Sequence, residues 1–171
     1  MSAPVPRLGN MPTRWRMEAT PILSVLIASA LPALLPVIAQ VPTLPPLGLL
    51  FLVGWRLVHH ELWPLWIGVP LGAFNDIMSG HPLGTAIFLW SVVMMAIEIL
   101  DARLMWRDYW HDWLIAIGAA FVFLAGGTLF GWLSGNGSPL FLILPQLVWS
   151  TLLYPIIVRV IAWIDRWRMM A

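Results

Sequence analysis

Asn75 and Asp76 stand side by side in GVPLGAFNDIMSGHPLG, Gly68 to Gly84, between two apolar runs. A carboxylate in such a place either does chemistry or closes local hydrogen bonds. The chain has eight acidic residues. Glu18, Glu61, Asp101, Asp108, Asp112 and Asp165 lie near the ends of apolar runs, often close to an arginine, where pairing contributes little. Glu98, in the last turn of an apolar run, and Asp76 remain. An ionisable residue inside such a run is a functional candidate by default. Asp76 also has a structural option. It could accept hydrogen bonds from the turn at Ser79-Gly80, or cap a helix led by Pro82, whose first N–H groups lack intrahelical partners. Gly80 would let the chain reverse, and Gly84 would let the next helix pack closely.

Other chemistry finds little support. No nucleophile–base pair, phosphate-cradling glycine loop or metal ligand set stands out, so no catalytic residue, cofactor or metal is assigned. His59 and His60 precede Glu61, but no second ligand set follows at helical spacing. Asp101, Asp108 and Asp112 do not form the tight repeat that metal–pyrophosphate chemistry needs. There is no cysteine, which excludes thiol catalysis and disulfides. No nucleic-acid partner is expected.

The elements that must position these residues are apolar. Of 171 residues, 60% are hydrophobic and 10% charged, and mean hydropathy is +0.85. This predicts a single all-α integral membrane domain over residues 1–171. Six spans are expected, at 21–39, 44–58, 62–78, 83–100, 112–134 and 139–164, after a cytoplasmic tail at 1–20. The second is short and follows Pro42, Pro45 and Pro46, so a re-entrant piece is an alternative. A signal peptide at the N-terminus is disfavoured, because the run from Pro21 to Ala39 exceeds a usual signal core. Nine basic residues, all arginine, fall on one side of a six-span layout. The positive-inside rule makes that side cytoplasmic, with both termini inside. Most tryptophans, Trp55 and Trp63 among them, mark the same interface, and Trp90 and Trp149 lie mid-span. Pro32, Pro36, Pro145 and Pro155 predict kinks. Ser138-Pro139 and His81-Pro82 are expected to start helices. Gly127, Gly131 and Gly135 recur every four residues, as do Gly68 and Gly72. Such stripes bring helix backbones together, and packing inside the bundle is preferred to a partner-docking face.

The pattern G-x-x-x-D-x-x-S/T-G-x-P-L-G, here Gly72, Asp76, Ser79, Gly80, Pro82, Leu83 and Gly84, resembles the rod shape-determining protein MreD family. PQLVWSTLLYPIIVRVI, Pro145 to Ile161, is similar to that family's last span. The resemblance implies a compact six-helix bundle, similar to the substrate-binding subunits of vitamin importers. It implies a non-enzymatic scaffold of the bacterial elongation machinery in the inner membrane. There it binds MreC and, through it, MreB and the wall glycan polymerase with its transpeptidase. Asp76 and the Pro82-Leu83-Gly84 turn are carried over as family-like positions. Anionic lipids are expected at the arginine-rich edge. Two other readings stand beside it. A small-molecule-binding transporter subunit would line a cavity with Asn75, Asp76 and Glu98. A lipid-modifying membrane enzyme would need clustered acids on one edge.

Overall fold

The computed structural model describes residues 14–34, 44–59, 62–80, 82–103, 109–135 and 139–170. Among them the fold is helical, with no strand. The α-helices are α1 (Arg14–Leu34), α2 (Leu47–Val58), α3 (Gly68–Ser79), α4 (Thr85–Arg103), α5 (Tyr109–Leu133) and α6 (Ile143–Met170). Short 3₁₀ turns at Leu65–Ile67 and Leu140–Leu142 lead into α3 and α6. Three segments, Thr85–Arg103, Tyr109–Leu133 and Leu140–Met169, are long and apolar enough to cross a membrane.

Each helix overlaps one expected segment, but α1 begins at Arg14, inside the expected tail at 1–20, and α3 begins at Gly68, six residues into its segment. Pro36, the N-cap candidate Ser138 and His81 lie outside the described residues. Two proline expectations need correction. Pro145 sits in the first turn of α6, where its missing N–H breaks no intrahelical bond. Pro82 does not begin α4. It opens a turn in which the Thr85 N–H donates to the Pro82 carbonyl at 3.1 Å, and the helix starts at Thr85.

The arrangement turns on α2. It packs against α1, α5 and α6, while α1, α3, α4, α5 and α6 pack in succession around it, with slight contact between α6 and α1. The side of α4 also reaches α2, because Trp90 lies against Gly48. Nine residues of α2 are buried, on every side: Gly48, Leu49, Leu50, Leu52, Val53, Gly54, Trp55, Arg56 and Leu57. A helix that is apolar all round belongs inside a protein or a membrane. This one belongs inside the protein. At 12 residues it is about 18 Å long, well short of a hydrocarbon core of roughly 30 Å.

The core collects Val25, Leu49, Leu52, Trp90, Met94 and Ile161, each fully or almost fully buried. The outer surface is apolar as well. Phe88 and Met95 on α4, Phe121 and Leu129 on α5, and Leu144, Leu152 and Ile156 on α6 are all exposed. A water-facing surface rarely carries so continuous an apolar cover.

Candidate functional site

Asp76 is the most completely buried carboxylate among the described residues, at 1% exposure. It stands near the C-terminal end of α3, which stops at Gly80 in the left-handed region, φ 69°. The Gly80 N–H donates to the Asp76 main-chain carbonyl at 3.1 Å. The chain then turns through Pro82, Leu83 and Gly84, the last with φ 104°. The carboxylate reaches across this turn. Its Oδ2 accepts from the Gly84 N–H at 2.9 Å and its Oδ1 from the Ala86 N–H at 2.8 Å. Both oxygens are thus spent on the N-terminus of α4, where unpaired donors and the helix dipole favour negative charge. Of the two structural options for Asp76, the cap on the following helix is the one formed. Gly84 serves the turn and not packing, since a Cβ there would meet nothing within 4 Å.

Behind the cap, Gly72 brings α3 against α4. A Cβ at Gly72 would lie 2.7 Å from the Ala86 carbonyl oxygen and 2.8 Å from Ile87 Cα. Gly68 makes a looser approach to the backbone of Trp90 and Ser91, at 3.2 Å. This stripe packs helices as expected. The second stripe does not. A Cβ on Gly127 would meet nothing within 4 Å, and Gly135 takes φ 81° just after α5. The close approach of α5 to α4 is instead at Gly126, against Leu89.

Glu98 lies at the opposite end of α4, 13 positions after Thr85, about 20 Å along the axis. It pairs with the Arg56 guanidinium, and Asp101 stands 3.5 Å from the same group. Arg56 is buried at 3% exposure. Next to it, Arg168 pairs with Asp165 at 2.6 Å, and His59 Nε2 is 3.1 Å from the same carboxylate. The Arg168 guanidinium lies over the Trp55 ring, 5.4 Å from its centroid, and His59 also stacks on Trp55, with ring centroids 6.1 Å apart. The Trp55 indole N–H donates to Ser24 Oγ at 2.8 Å.

Several expectations change here. The arginines were expected as interfacial charges, but Arg56 and Arg168 are buried and paired with acids from other turns and helices. Trp55 and Trp63 were expected at the interface and are core residues, at 0% and 7% exposure. Trp90 is buried as a mid-helix residue, and Trp149 is half exposed. The sequence signal for Arg56 was present: it is the lone charge in LGLLFLVGWRLV, and an isolated charge in an apolar run implies a partner from elsewhere.

A cavity of about 750 Å³ opens above the N-terminus of α2, between α1, α3, α5 and α6. Asn75, Gly80, Gly127 and Gly131 line it; Asp76 and Glu98 do not. The trio Asn75, Asp76 and Glu98 is therefore not one constellation. Among the described residues no group of three or more His, Cys, Asp or Glu could hold a metal ion. No family model matches the chain, and no curated protein or solved structure matches it either.

Proposed function

We propose that the chain is a non-enzymatic scaffold of the bacterial cell-elongation complex, of the MreD type. It resides in the inner membrane as a multi-pass bundle of six helices. It binds an MreC-like protein and, through it, an MreB-like filament and the wall polymerase–transpeptidase pair. The observation that carries this reading is the Asp76 turn. Of the positions on which the family resemblance rests, Gly72, Asp76, Ser79, Gly80, Pro82, Leu83 and Gly84, four serve one local structure. Gly72 closes the helix pair, Gly80 and Gly84 take the positive-φ turns, and Asp76 ties the turn to α4. Spacing that serves one local structure is a stronger resemblance than shared common residues.

The three membrane-length helices and the apolar exterior support the location. The arginine asymmetry supports cytoplasmic ends. Purification of the tagged chain from its native membrane in mild detergent, followed by mass spectrometry, tests the reading. An MreC-like protein and wall-synthesis enzymes are expected. Recovery of a pair of ATPase subunits instead would overturn it in favour of a transport subunit.

A further inference from the structure

The N-terminus of α2 has no side-chain cap, and it is buried from Gly48 onward. Pro45 and Pro46 have no N–H to offer. The Leu47 and Leu50 N–H groups donate back to the carbonyls of Pro45 and Pro46, at 2.8 and 3.1 Å. The N–H groups of Gly48 and Leu49 find no acceptor among the described residues, and Pro46 supplies no side-chain cap. Ser29 of α1 faces this end. It is 4% exposed, its Oγ has no hydrogen-bond partner, and it lines the 750 Å³ cavity. Gly48 leaves room for it: a Cβ there would lie 2.0 Å from Ser29 Oγ. Asn75, 7% exposed, lines the same floor from α3. Buried polar groups normally have partners. Here the unpaired Ser29 hydroxyl of α1 lines one cavity together with Gly48 of α2 and Asn75 of α3.

The walls differ from the floor. Met78, Phe123, Leu124 and Leu142 form its apolar part, Thr128, Ser134 and Gln146 interrupt it, and Gly127 keeps the wall open because nothing lies within 4 Å of its Cβ position. No described lining residue carries a formal charge. A helix N-terminus offers roughly half a positive charge, and no cationic side chain stands in the described lining to complete the neutralisation of a free anion. The floor therefore suits uncharged acceptor oxygens, and the apolar part of the wall, Met78, Phe123, Leu124 and Leu142, suits hydrocarbon.

We propose that this cavity binds an uncharged amphiphile, hydroxyl or ester oxygens leading, against Ser29, Asn75 and the N-terminus of α2. The slight contact between α1 and α6 leaves a side along which the hydrocarbon part reaches the surrounding lipid. The inference rests on the membrane placement proposed above and not on any partner.

The test uses the purified full chain in phospholipid nanodiscs, with monoolein as the probe, read by native mass spectrometry and thermal unfolding. The wild type is expected to retain monoolein and unfold at a higher temperature with it. Ser29→Ala, which removes a hydroxyl with no bond inside the protein, is expected to weaken retention roughly five-fold, the worth of one net hydrogen bond. Gly127→Leu fills the cavity and is expected to abolish retention. Equal retention by folded wild type and Gly127→Leu would overturn the proposal; if Gly127→Leu does not fold, unchanged retention by Ser29→Ala does so. Tighter retention of lysophosphatidylglycerol with the same acyl chain would overturn the uncharged head. The same thermal shift from glycerol alone would assign the floor to a water-soluble polyol and overturn the amphiphile. None of these readouts involves another protein, so failure here is distinct from failure to find an elongation-complex partner.

Discussion

At the scale of single residues, charge is used for construction. Asp76 accepts two main-chain donors with two oxygens, and an amide can accept with only one. Asp76→Asn is therefore expected to insert normally but lose about 1.5–3 kcal/mol, the range for a hydrogen bond to a charged group. Thermal or denaturant unfolding in nanodiscs measures this, and an unchanged midpoint would remove the cap from the account. Arg56 is expected to be more sensitive than its partner. Arg56→Ala strands Asp101 and leaves a void beside α2, and removing one member of a buried pair costs roughly 3–5 kcal/mol. Glu98 has a half-exposed side chain, so Glu98→Ala leaves Arg56 with Asp101 and water and costs about 1 kcal/mol or less. The same unfolding measurement ranks the two, and equal losses would contradict the burial difference. The role of Asp76 was legible in outline from a carboxylate ahead of a Gly-x-Pro-Leu-Gly turn. The identity of Arg56's partners was not, because its acids are more than 40 positions away in sequence and local spacing cannot find them.

At the scale of helices, two glycine stripes that look alike do different work. The α3 stripe meets backbone, and the α5 stripe borders open space. Gly72→Ala is expected to destabilise by about 1–3 kcal/mol, because the atoms in its way are main chain and α3 must move off α4. Gly127→Ala is expected to be neutral or stabilising by up to about 1 kcal/mol through helix propensity. Equal effects in an unfolding assay would mean that the stripes are equivalent after all. The succession of apolar runs identified the helices and their order, since each run carries its own turn signals, such as Gly80 and Gly135 at positive φ. It could not tell which glycine touches a neighbour. That depends on helix rotation, set by all the packed faces together. α1 runs on through Pro21 and Pro32, two residues without an N–H to give, while packed against α2 and α3.

At the scale of the whole molecule, the chain has no cysteine, so single introduced cysteines can report its orientation. In the proposed layout, Arg103→Cys at the end of α4 reacts with an impermeant maleimide only from the cytoplasmic side, and Ser134→Cys after α5 only from the other. Labelling of both from one face of intact cells would overturn the layout. The central position of α2 has a further consequence, for the order in which the protein is made. Leu47–Val58 emerges from the ribosome long before α5 and α6, which form much of its surroundings. Until then it is a short segment carrying Arg56, whose acids also lie downstream. It is poorly suited to settle in lipid alone, where its length and charge both count against it. In the proposed membrane placement, the newborn chain holds this segment at the membrane surface or in the insertion machinery until α5 and α6 arrive to pack against it.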